Sequence, residues 1–140
     1  MLAFALGGGG CKERTEAADG WIQVCPAQQF CFRHPPDLIL NPQQVIDSEA
    51  GRYQSERLQL SYDLGMYSTN FAELSNPDVA DKIIDGLAGE VLIAGNVMAL
   101  RIHSVRDRVR FAMHLEFSGK VDAALGQRIF DSVHFLPPRK

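Results

Sequence analysis

Residues 51–65 read GRYQSERLQLSYDLG, and this stretch sets the fold. Leu58, Leu60, Tyr62 and Leu64 alternate with Gln59, Ser61 and Asp63. Successive strand side chains point to opposite faces, so a period of two describes a strand with one apolar and one polar face. The polar turn before Leu58 joins it to a preceding strand. A sheet is therefore expected here, with its apolar face turned to a core.

Towards the C-terminus the same grammar repeats. Lys82–Asp85 and Leu87–Ala94 flank Asp85-Gly86, a tight hairpin signal. Gly95-Asn96 turns the chain into Val97–Val105, where Leu100 and Ile102 alternate with Arg101 and His103. Arg106-Asp107 is read as a tip. Val109, Phe111, Met113, Leu115 and Phe117 form the cleanest apolar stripe, with Arg108, Arg110, His114 and Glu116 opposite. Between Gly65 and Lys82, Ser, Asn and Pro without a steady period predict a long loop. Lys120–Val133 reads as a helix: Val121, Leu125, Ile129 and Val133 recur every fourth residue, Ser118 is the expected N-cap, and Asp122 suits the first turn.

Towards the N-terminus, Trp21–Cys25 and Phe30–Arg33 read as a hairpin around PAQQ, with Trp21 as its packing anchor. His34-Pro35-Pro36-Asp37 stops the second strand, since proline has no N–H to give. Leu38–Leu40 is a short apolar piece, and Val45–Ser48 is read as a further strand. The expected fold is α+β: an antiparallel β-sheet, a meander of hairpins, covered by a C-terminal helix. Residues 21–136 form one domain, 1–20 a leader and tether, and 137–140 a tail.

With 140 residues, 46% of them hydrophobic and 22% charged, the chain has the composition of a globular domain. A net charge of -3 gives no electrostatic reason to expect nucleic acid as a partner.

The first eleven residues, MLAFALGGGGC, place Cys11 after a short apolar segment and two small residues, Gly9 and Gly10. They resemble the back half of a bacterial lipoprotein signal peptide. Gly8 stands where that pattern usually has Leu, and no basic residue precedes the apolar segment. The resemblance implies lipidation at Cys11, an anchor in a bacterial membrane, and a periplasmic or outer-surface location. The competing reading is a glycine-rich leader with an incidental thiol.

Cys25 and Cys31 sit at opposite ends of one hairpin turn. In an oxidising compartment they suit a disulfide. The other readings are two buried thiols, or half a metal site, which would need more ligands and has only His34 nearby. The spacing is not that of a zinc knuckle or a redox dithiol.

The phrases VIDSEAGRYQ (45–54), LSYDLGMYS (60–68), KIIDGLAGEVLI (82–93) and RIFDSVHF (128–135) resemble bacterial proteins of the PsbP-like fold. That fold is shared with the extrinsic subunit P of photosystem II and a Ran-GTPase release factor. The resemblance implies an antiparallel sheet between helices, an α/β/α sandwich, and a group that includes small lipid-anchored proteins without assigned activity. It brings no manganese or calcium handling to this chain.

No phosphate-binding loop, dinucleotide turn, zincin helix or nucleophile elbow occurs in the sequence. Two groupings are candidates for binding. Arg52, Tyr62, Asp63 and Tyr67, at the mouth of the long hairpin, combine a carboxylate, phenols and a guanidinium for a polar ligand. Asp63 satisfying loop N–H groups is the structural alternative. Arg101, His103, Arg110 and His114 form a basic strip on adjacent strands, with His103 expected opposite Arg110 and Arg101 opposite Ala112. It suits an anionic partner, or is simply a solvated face. No metal or cofactor is implied. The leading expectation is a non-catalytic, lipid-anchored envelope accessory protein that binds another macromolecule. The second is a small polar-ligand module with a pocket near Asp63 and Tyr67. The third is a hydrolase with His103 or His114 as base and Ser104 or Ser118 as nucleophile.

Overall fold

The computed structural model describes residues 14–41, 49–66, 68–69 and 71–137. The expected strand Val45–Ser48, Cys11 and Tyr67 lie outside the described residues. Eleven strands and one α-helix are found among the described residues: β1 (Arg14–Glu16), β2 (Ile22–Val24), β3 (Phe30–His34), β4 (Ile39–Asn41), β5 (Glu49–Gln54), β6 (Leu58–Gly65), β7 (Asp78–Ile84), β8 (Leu87–Ala94), β9 (Val97–Arg106), β10 (Val109–Phe117), α1 (Ala123–Asp131) and β11 (His134–Phe135). The class is α+β, dominated by antiparallel sheet.

The strands form two sheets. Seven run in the order β4-β5-β6-β10-β9-β8-β7, and four in the order β1-β2-β3-β11. The deciding stretch becomes β5 and β6, paired Gly51 to Tyr62 and Tyr53 to Leu60. Its alternation is reproduced in burial: Leu58, Leu60, Tyr62 and Leu64 are buried, and Gln59 is exposed. β10 lies against β6 with Leu115 opposite Leu60 and Met113 opposite Tyr62, which joins the two cleanest apolar stripes into one surface.

The small sheet and α1 cover that surface. Phe30 of β3 meets the rings of Tyr62 and Phe111 edge-on at 5.2 and 4.9 Å, and Phe32 meets Tyr53 at 5.7 Å. Ile129, Phe130 and Val133 of α1 join the same core. Lys82 on β7 reaches Asp131 at 2.7 Å, and Ser132 Oγ accepts from the Arg33 N–H at 2.7 Å, so the end of the helix is tied to both sheets. Arg128 lies 3.9 Å over the Trp21 ring and pairs with Asp19, an ordinary way to seat a long cation on an apolar ring.

Several boundaries differ from the sequence reading. Asp122, rather than Ser118, caps the helix, its Oδ1 accepting from the Leu125 N–H at 3.1 Å. The β9–β10 tip is Asp107-Arg108, with Arg108 at φ 60°. β1 lies inside the stretch read as a tether, held to β2 by backbone pairing while its side chains stay exposed. β7 begins at Asp78, inside the expected loop. The Asp85-Gly86 turn takes positive φ at both residues (52° and 78°), which suits a two-residue hairpin.

Candidate functional site

The outer face of the seven-stranded sheet carries the polar halves of the alternating strands. Two cross-strand rows define it. One runs Arg52, Ser61, His114, Ala99, Leu92, Val79, and the next runs Ala50, Asp63, Ala112, Arg101, Glu90, Asp81. Ala99 and Ala112 leave a trough in the middle. Phe71 fills it, buried against Leu92, Ala99 and Ala112, with its ring stacked on His114 at 5.9 Å. Phe71 takes φ 62°, a left-handed conformation unusual for an aromatic residue. Ser68 fixes the start of this loop, its hydroxyl bonding the carbonyls of Asp63 (2.9 Å) and Arg110 (3.1 Å). Beside Phe71, a shallow hollow of about 220 Å³ is lined by Ser61, Asp63, Thr69 and His114.

The expected polar cluster is thereby divided. Arg52 and Asp63 share the outer face. Tyr62 points the other way into the aromatic core, because adjacent strand residues face opposite sides. The basic strip also changes character. Arg101 does lie opposite Ala112, but Val109 pairs with Arg106 and Phe111 with Ile102, so a register shift removes the His103–Arg110 pairing. Glu90 of β8 takes Arg101 at 2.7 Å and His103 at 3.5 Å. The Arg101 hydrogen bond holds the Glu90 carboxyl below its ordinary pKa. Arg110 donates to the Met66 carbonyl at 2.8 Å. His114 is half-buried, and burial lowers its pKa, so its imidazole favours the neutral form. Ser118 Oγ bonds the Arg57 carbonyl at 3.4 Å.

The larger cavity is on the other side of the sheet. A cleft of about 440 Å³ opens between the β2–β3 hairpin and the β4–β5 edge. Val24, Pro26, Leu38 and Leu40 give it apolar walls, Tyr53 and Tyr62 stand behind, and Arg14 and His34 supply charge and polarity. Cys25 is also on its wall, its sulfur 2.11 Å from that of Cys31, at disulfide distance.

His34 is 1% exposed. Its Nδ1 lies 2.7 Å from the Pro35 carbonyl. A carbonyl only accepts, so Nδ1 carries the proton and Nε2 is left as an acceptor. Nε2 is buried and has no hydrogen-bond partner among the described residues. Burial is the main cause of the lowered pKa of this ring, ahead of the opposing Pro35 hydrogen bond. An unpaired buried acceptor costs roughly 1–3 kcal/mol. Sequence reading gave His34 no role beyond ending a strand and serving as a further ligand if the cysteines held a metal. The signal was there: Phe30, Phe32 and His34 fall at i, i+2 and i+4, on the face that packs into the core.

Among the described residues no group of three His, Cys, Asp or Glu side chains is placed to hold a metal ion, and no helix is long and apolar enough to cross a membrane. No family model matches this chain, nor does any curated protein or solved structure.

Proposed function

We propose that this protein is a lipid-anchored bacterial envelope protein that acts by binding rather than by catalysis, its body carried on Cys11 and facing the periplasm or outer surface. One observation carries the reading. Of three cysteines in the chain, Cys25 and Cys31 lie at disulfide distance, and the remaining one follows Gly9-Gly10 in a lipoprotein-like leader. A disulfide suits an oxidising compartment. A macromolecular partner is favoured by the apolar side chains on the outer face of the edge strands: Ile83 is 67% exposed on β7 and Ile39 65% on β4. The antiparallel sheet with a covering helix is consistent with a PsbP-like body. The second helical layer which that likeness implies is not among the described residues. Labelled palmitate tests the anchor: the wild-type chain takes up label and Cys11→Ser does not, whereas equal labelling, or none in either, removes the reading.

The second reading is a small polar-ligand module at the outer-face hollow, favoured by the joint placement of Asp63 and His114 beside Thr69. A polar metabolite that raises the melting temperature of wild type but not of Asp63→Asn supports it. A flat response across a metabolite screen discards it.

A further inference from the structure

We propose that the cleft between the β2–β3 hairpin and the β4–β5 edge binds a small amphipathic acid whose apolar body lies along Leu38 and Leu40, whose hydroxyl or amide N–H donates to His34 Nε2, and whose anionic group meets Arg14.

Each part of the ligand follows from one feature of the cleft. The volume, about 440 Å³, lies within the range of small-molecule sites, roughly 300–1,000 Å³. The walls are largely apolar, and the side chain of Leu40, which shares the cleft side of the sheet with Tyr53, is held open to water at 51% exposure. Exposed aliphatic side chains at the rim of a concave site are what an apolar ligand would cover. The polar requirement is narrower. Nδ1 of His34 is committed to Pro35, and burial disfavours the imidazolium, so Nε2 carries a lone pair and no proton. The ring lines the cleft, while Nε2 itself is covered in the free protein and must be uncovered by the ligand. A bare carboxylate has no proton to give it. The ligand needs a hydroxyl or an N–H. Among the described residues none pairs with Nε2.

The anion is set by the charge around His34. Arg14 acts on the ring as a positive charge and Asp37 as a negative one. Asp37 is taken up by Arg57, which donates to both of its carboxylate oxygens at 3.2 and 3.4 Å. Arg14 lines the cleft itself. A ligand carrying a single carboxylate or sulfonate thus has a guanidinium at the rim and an acceptor within. This site is separate from the outer-face hollow and does not depend on the membrane anchor.

The test uses the full chain labelled with nitrogen-15 in histidine, and two probes that differ by one hydroxyl: 2-hydroxyoctanoate and octanoate. The His34 Nε2 resonance of the free protein should be that of an imidazole nitrogen without a hydrogen bond. It should move saturably towards greater shielding with 2-hydroxyoctanoate and stay in place with octanoate. The hydroxy acid should bind about fivefold to tenfold tighter, the worth of one neutral hydrogen bond. His34→Phe should abolish that difference. Arg14→Met, at an exposed position that leaves the fold intact, should weaken both acids by a similar factor. The proposal is overturned if neither acid binds, if both bind wild type equally, or if the free protein already shows a hydrogen-bonded Nε2, as a resident water would give. The wild-type comparison stands whether or not the variants fold.

Discussion

Tyr62 lies across Gly51. A Cβ on Gly51 would stand 2.5 Å from the Tyr62 hydroxyl oxygen and 2.7 Å from the ring carbon that bears it. The two residues are directly opposed on β5 and β6. Phe30 and Phe32 pack on the same ring at 5.2 and 5.8 Å, which limits how freely it can move aside. Gly51→Ala should therefore cost about 1–3 kcal/mol, the usual penalty for overpacking. Urea unfolding checks this, and the penalty should shrink in a Tyr62→Leu background. An unchanged penalty there would mean that the tyrosine is not what the methyl group meets.

The disulfide-distance pair bounds the hairpin that walls the cleft. Replacing Cys25 and Cys31 together by Ser should lower stability by about 2 kcal/mol, the loop-closure value for so short a span. Wild type in a strong reductant should unfold like the double variant, and a reductant-insensitive wild type would contradict the bond.

The two histidines with lowered pKa values, His34 and His114, set a pH dependence. Each favours the neutral form in the folded state, because burial is the leading cause of both shifts. The unfolded chain then binds more protons at mildly acidic pH. Their stabilising share is complete above the ordinary value of 6.5 and is lost as pH falls through the lower folded values. Unfolding free energy should decline from pH 7.5 to pH 5.5, before the carboxylates titrate. His34→Phe and His114→Phe should each flatten the slope. A slope unchanged in both variants would assign it elsewhere.

Phe71 is the plug of the outer-face trough. Phe71→Ala should cost about 3 kcal/mol, as for other buried phenylalanines. It should also let water reach His114 and raise that ring's pKa towards 6.5, read by NMR titration.

Sequence reading went furthest where burial follows the period of the chain. The alternation in Leu58–Leu64 and Val109–Phe117 named both central strands and their core faces. The fourfold spacing of Val121, Leu125, Ile129 and Val133 named the helix, but the helix spans only Ala123–Asp131 of the expected Lys120–Val133 and leaves the two valines outside it. It failed where backbone pairing alone makes the strand. Arg14–Glu16 and Asp78–Asp81 are exposed edge segments with no apolar stripe to betray them. It failed again where contacts span the chain. The pairing of His134 with Cys31 adds a fourth strand from the far end of the chain to the small sheet, and no local pattern announces it. The cleft has the same origin, since its walls come from β1, the β2–β3 hairpin and the β4–β5 edge. Tyr62 was grouped with Asp63 by proximity in the chain, although the alternation already set them on opposite faces.

β6, β10 and β9 form the interior of the large sheet beneath the small sheet and α1. Leu60, Met113 and Leu100, one on each of these strands, have no exposed surface. Native-state hydrogen exchange tests this most directly. The amides of these three residues should exchange only through global unfolding, sharing one free energy and one denaturant slope, while Val79 on the β7 edge exchanges far sooner. If Leu60 exchanges as readily as Val79, the deciding stretch is not at the centre of the sheet, and the architecture described for this protein is wrong.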